Sequence, residues 1–216
     1  MSPKVISASQ IKTYLDCPRV YYLRYILGMK EPVKSDFLER GSRIHSQISN
    51  LDFESDNAEE QGFLLNAKNF LASKSGTPSF ETSYESKENP NKFFGEICGR
   101  RAIAIIDAFW DEDPDAVDWK VSKLSKYNLE HYEIQAFFCS ELFKQNKNKA
   151  LKNFYFKFLK DDGLYAARIL SEPEYKTKIE KKIRKALENI EEEKFEKKCG
   201  KLCEWCGFNG VCPLKI

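Results

Sequence analysis

Four of the seven cysteines in this 216-residue chain crowd into its last 18 residues, as Cys199, Cys203, Cys206 and Cys212. Cys203-Glu204-Trp205-Cys206 followed by Cys212 brings three thiols into ten residues. An odd cysteine count with this crowding points to metal ligation and not to a disulfide framework. Three thiolates need a fourth ligand. Cys199 would complete a local all-cysteine zinc site. A cysteine from elsewhere would tie the tail to a distant part of the fold, around zinc or a [4Fe–4S] cluster. Cys98 and Cys139 read as ordinary buried thiols.

Hydrophobic residues make up 42% of the chain and aromatics 13%, enough for a packed interior. Charged residues reach 31% yet nearly cancel to +2, so a polyanionic partner must be argued from local patches. No apolar run is long enough to span a bilayer, and Met1-Ser2-Pro3-Lys4-Val5-Ile6-Ser7 lacks the apolar core of a secretory signal. The expectation is a cytoplasmic protein with no membrane partner.

The first 25 residues predict a helix capped by Ser7 or Ser9 and split by Pro18 just after Cys17. Further helices are expected at 36–50 and 59–73, then a loop, a short strand and another loop over 74–92. Residues 93–110 read as β, the acidic stretch from Asp111 to Asp115 as a turn, and Ala116–Lys120 as the returning strand. A helix over 127–146 precedes strands near 153–160 and 164–170 joined at Asp161-Asp162-Gly163, and a charged helix over 172–195 leads into the cysteines.

Asp107, Asp118 eleven residues later, and Lys120 carry the clearest chemistry. Side chains two apart on a strand share a face, so Asp118 and Lys120 point together, and Asp107 on the neighbouring strand can join them. Two carboxylates on one face are hard oxygen ligands for Mg²⁺ or Mn²⁺, and a lysine beside them can hold water or a phosphate oxygen. Taken alone, a carboxylate beside a lysine is usually a solvated surface pair.

Ile106-Asp107 … Val117-Asp118-Trp119-Lys120 resembles the Asp … Asp/Glu-x-Lys core of the PD-(D/E)XK nuclease superfamily. Other motifs resemble its RecB-like branch, which includes CRISPR-associated exonucleases and the AddB nuclease domain. Ser7-Ala8-Ser9 leads into Cys17-Pro18-Arg19-Val20-Tyr21, Gly41-Ser42-Arg43-Ile44-His45 follows, Gln135 comes after the lysine, and Cys203, Cys206 and Cys212 close the chain. The resemblance implies an α/β (α+β) fold with a restriction-endonuclease-like core: a mixed central sheet flanked by helices, its N- and C-terminal segments joined at a metal-cluster subdomain. One domain over 1–216 would comprise an N-terminal helical part (1–75), the nuclease core (76–170) and the C-terminal helix with the cysteines (171–216).

The implied activity is metal-dependent cleavage of DNA, exonucleolytic before endonucleolytic, on single strands or free ends. A helicase, integrase or recombination protein is an implied partner. His45, Asp107 and Asp118 would hold Mg²⁺ or Mn²⁺, with Asp107, Asp118, Lys120 and Gln135 catalytic. Cys17, Cys203, Cys206 and Cys212 would hold the [4Fe–4S] cluster, closing a loop of about 190 residues. The chain departs from the pattern at Ala104, where the family often has glycine. A second register, Gly99-Arg100-Arg101-Ala102, would put Ala102 at the metal position and leave a decayed DNA-binding scaffold. For DNA itself, Arg19 and Arg24 are candidates beside Cys17. So are Lys152 and Lys157, in a stretch with six lysines, no acid, and interleaved Phe154, Tyr155, Phe156 and Phe158, which reads either as a phosphate-tracking rim or as a solvated helix end running into a half-buried strand.

Overall fold

The computed structural model describes residues 4–30, 36–81 and 89–212. The chain enters as a two-residue strand, β1 (Ile6–Ser7), and Ser7 then caps α1 (Ala8–Asp16) by accepting the Gln10 amide. Cys17 is extended, and Pro18 sits at the start of α2 (Pro18–Tyr21), where its missing amide costs nothing. The expected split after Cys17 is there, and a π-helical turn over Tyr22–Ile26 follows. Helices α3 (Asp36–Ser49) and α4 (Ala58–Ala72) come next. Asn57 caps α4 by accepting two amides, and Arg40–Glu59 and Arg43–Glu60 pairs join the two helices.

The stretch read as one β run over 93–110 is three strands. β3 (Lys92–Ile97) turns back into β4 (Arg100–Ile105) through Cys98 and Gly99, both at positive φ, as a two-residue hairpin turn requires. After Ile106 and Asp107 the chain re-enters β structure as β5 (Ala108–Phe109). It returns as β6 (Asp115–Lys120), so the acidic turn lies where it was expected. Helix α5 (Leu129–Lys147), strands β7 (Asn153–Phe158) and β8 (Gly163–Ala166), and α6 (Pro173–Glu191) complete the order with β2 (Ser79–Phe80).

Two mixed sheets result. One runs β1-β4-β3 and the other β2-β5-β6-β7-β8, with β1/β4 and β6/β7 parallel. Residues alternate along β6: Ala116 faces a core shared with α1, α5 and α6, while Val117 and Trp119 face a second core under α3 and α4. Helices thus cover both faces of the five-stranded sheet. Helix α5 also grips the edge of β3, where Gln145 bonds both the amide and the carbonyl of Glu96. A Cβ on Gly95 would fall 2.2 Å from the Gln145 oxygen and 2.9 Å from Leu142, so any larger residue there would displace the Gln145 amide from its bonds to Glu96.

The chain passes from one sheet to the other at Ile106–Asp107, and a fully buried asparagine holds the crossing. Asn91 donates to the carbonyls of Ile106 (2.8 Å) and Ser79 (2.9 Å), with a longer contact to Asp107 (3.4 Å). Its own carbonyl accepts the Ile106 amide at 3.1 Å. Asn91→Ala strands the buried Ile106 carbonyl, at about 1–3 kcal/mol for an unsatisfied group, and removes a donor from the partly buried Ser79 carbonyl. The denaturation midpoint should fall accordingly, and an unchanged midpoint would show that the crossing does not need this side chain.

Candidate active site

Alternation along β6 puts Asp118 and Lys120 on the face toward α5, as the spacing of two predicts. Lys120 Nζ lies 2.6 Å from Asp118 Oδ2 and donates to Gln135 Oε1 of α5 at 3.2 Å. Gln135 Nε2 in turn donates to Asp118 Oδ1. Carboxylate, lysine and amide therefore close a triangle in which each fixes the other two.

Asp107 lies just before the short β5, so no strand neighbour takes the Trp119 amide. The Asp107 carboxylate takes it instead, at 2.7 Å through Oδ2. The same oxygen stands 3.3 Å from His45 Nδ1 on α3. A residue the sequence reading missed completes this side. Glu81 follows β2, and its amide donates to the Asp107 carbonyl at 2.9 Å. One ligand atom from each of His45, Glu81 and Asp107 lies within 4.8 Å of the others. The available signal was a carboxylate closing the short strand expected within 74–92. Asp107, Asp118, Glu81 and Gln135 line a cavity of about 450 Å³ whose opposite wall includes Ser7 and Gln10 at the start of α1.

The protonation states follow from burial and from the neighbouring charges. Burial opposes the charge on Asp107, but His45 and the Trp119 amide outweigh it and hold the carboxyl below its usual range. Burial lifts Asp118, and Asp107 adds to this against the pull of Lys120. Burial also opposes the charge on Lys120, yet the adjacent Asp118 keeps its pKa raised. Glu81 is pushed up to about 7 by burial and by Asp107. Burial pulls His45 down, but Asp107 more than reverses this and takes it to about 9. Glu81, raised to about 7, can give up its proton to a cation, and the donor set of carboxylate oxygens with one imidazole fits a divalent metal such as Mg²⁺ or Mn²⁺.

A family model for the PD-(D/E)XK nuclease superfamily matches residues 5–213. The chain belongs to the PD-(D/E)XK nuclease superfamily. No curated protein sequence matches significantly. A solved structure described as "Crystal structure of SSO0001" aligns over 100% of this chain and 89% of its own, at 14% identity and a TM-score of 0.47. A likeness of that strength decides nothing about this chain. The mixed sheets flanked by helices are consistent with the restriction-endonuclease-like fold of the superfamily, whose members use divalent metals.

Within that fold the competing Ala102 register finds no site. Ala102 is buried in β4, paired with Ile6 on one side and Gly95 on the other. The cysteines are also sorted. Cys17, Cys203, Cys206 and Cys212 line one cavity of about 410 Å³ with Arg19, Leu23 and Phe208, whereas the exposed Cys199 does not line it. Arg24 lies near the same place, 6.0 Å from the Phe208 ring.

The expected lysine rim must be corrected. Lys157 is buried (6% exposed), and its ammonium is taken by the carbonyl (2.9 Å) and carboxylate (2.5 Å) of Asp162. Phe154, Phe156 and Phe158 are core residues and offer no stacking surface. Lys152 is exposed but pairs with Asp113 at 3.2 Å, and Lys147 and Lys149 pair with Asp111. Three lysines of a run free of acid in sequence are paired in space by the turn that precedes β6, and Lys160 pairs with Glu59 of α4. No helix among the described residues is long and apolar enough to cross a membrane.

Glu81 and His45 keep protons in the folded protein over windows in which the unfolded chain has lost them, from 4.5 to about 7 and from 6.5 to about 9. In EDTA, stability should therefore fall as pH rises through both windows. Glu81→Gln should flatten the part below neutrality. Equal dependence of melting temperature on pH in wild type and variant over that range would contradict the placement of Glu81 against Asp107.

Proposed function

We propose that the chain is a Mg²⁺- or Mn²⁺-dependent deoxyribonuclease of the RecB-like branch, acting exonucleolytically on single strands or free ends. The observation that carries this reading is the meeting of Glu81, Asp107, Asp118 and Gln135 at one cavity, with His45 held against Asp107 and Lys120 against Asp118. His45, Asp107 and Asp118 are the ligands the motif implies, and Glu81 is added from its position. When bound there, the divalent metal supplies positive charge that polarises the phosphoryl group and acidifies water. Lys120, kept protonated by Asp118, places its ammonium where an attacking water or a phosphate oxygen would sit. Gln135 holds Lys120 and Asp118 in register, so its role is positioning. The branch and the preference for ends rest on the order of Ser7-Ala8-Ser9, Cys17-Pro18, His45, Gln135 and the closing cysteines.

Asp118→Asn and Lys120→Ala should each reduce cleavage of a labelled oligonucleotide by at least about 10³-fold while leaving a folded protein. Wild-type-like cleavage by either purified variant would remove the assignment.

The second metal site is proposed as a [4Fe–4S] cluster held by Cys17, Cys203, Cys206 and Cys212. A zinc ion bonded at about 2.3 Å to each sulfur fills its own site. The four thiols share one cavity with eight other residues, and the choice of the cluster over zinc rests on the resemblance of the Cys17-Pro18 and closing-cysteine motifs. Hydrolysis needs no electron transfer, so these thiolates serve to join α1 and α2 to the tail. Cys17→Ala should lose iron and lower the melting temperature, while Cys199→Ala should keep both. Iron lost from the second variant and kept in the first would give the fourth position to Cys199.

A further inference from the structure

The loop between β6 and α5 differs from the neutralised lysine run. It reads Val121-Ser122-Lys123-Leu124-Ser125-Lys126-Tyr127-Asn128, with two lysines and no acid. Both lysines are exposed, and among the described residues neither has a carboxylate at ion-pair distance. Tyr127 is 86% exposed, more than any other large apolar or aromatic side chain described, and its ring meets the Lys126 ammonium at 5.6 Å. Leu124 and Leu164 extend the patch at 39% and 49% exposed.

The loop is braced. Ser125 Oγ accepts the Tyr127 amide at 3.4 Å, the Leu124 amide donates to Asp161 at 3.3 Å, and a 3₁₀ turn over Lys126–Asn128 leads into α5. An aromatic ring held out into water on a fixed loop, with unpaired cations beside it, fits a planar and anionic ligand. Its position narrows the choice. Lys123 follows Lys120 by three residues, and Tyr127 stands two residues before α5, in which Gln135 lies about 9 Å along the axis from the first residue. A strand leaving the cavity would reach the ring within a few nucleotides. Only unpaired bases offer it an open face.

We propose that Lys123, Lys126 and Tyr127 form a landing site for single-stranded nucleic acid beside the cleavage centre. Tyr127 stacks on a base and the lysines meet flanking phosphates. The proposal rests on the nuclease reading and names its substrate form.

The test is equilibrium binding of a fluorescent oligothymidylate to the full chain in EDTA, so that no turnover interferes. Tyr127→Ala should weaken binding about ten-fold, while Tyr127→Phe should bind like wild type. A combined Lys123→Ala, Lys126→Ala variant should lower the slope of log affinity on log salt by about 1.4. Melting temperatures should stay at the wild-type value, because Tyr127 is not part of the core. Unchanged affinity in Tyr127→Ala, or a wild type that binds duplex but no single strand, overturns the proposal and leaves the patch to a protein partner. If binding depends on Tyr127 but Mn²⁺ elicits no cleavage, the landing site stands and the nuclease reading falls.

Discussion

The active site depends on a backbone problem solved at Ile106–Asp107. Strand β4 belongs to one sheet and β5 to another, so the chain must turn between them inside the protein. Buried peptide groups at such a turn lose their ladder partners, and each must find another. Asn91 donates to the Ile106 carbonyl and the Glu81 amide takes that of Asp107. With its main chain satisfied in this way, Asp107 can direct its carboxylate to the Trp119 amide and His45. An asparagine with no chemistry of its own thus sets where the first acid of the site stands.

The cavity concentrates like charge at a cost in protein stability. Glu81, Asp107 and Asp118 converge in a largely buried place, with Lys12, His45 and Lys120 among the nearby compensating cations. A site built only for stability would replace such a group with apolar residues of similar volume. Its persistence as carboxylates is intelligible where a dication completes the charge balance.

The parts legible in the sequence follow local rules. Asp118 and Lys120 share a face because strand side chains repeat every two residues, and Pro18 splits the first helix because it cannot continue one. The hairpin turn at Cys98-Gly99 was hidden because β-forming residues run on both sides and a single glycine is a weak signal. Glu81 was hidden because a two-residue strand shows no periodicity. The lysines from 144 to 160 misled for another reason. The partners of Lys147, Lys149 and Lys152 lie 36 to 39 residues upstream, and that of Lys160 lies 101 away, on Glu59. Charge patterns along a chain do not report pairing across it.

The N-terminal helix has its own long-range debts. The Tyr14 hydroxyl donates to the Lys194 carbonyl, 180 residues later, Lys198 reaches the Leu15 carbonyl, and the Tyr21 ring stacks on Phe195. Chains are synthesised from the N-terminus at about 5–20 residues per second. For on the order of ten to forty seconds, α1 exists before the segment that secures it has been made. The first of the described helices to be made is among the last to be fastened, and the cavity wall it forms closes only after residues 194–198 have been made.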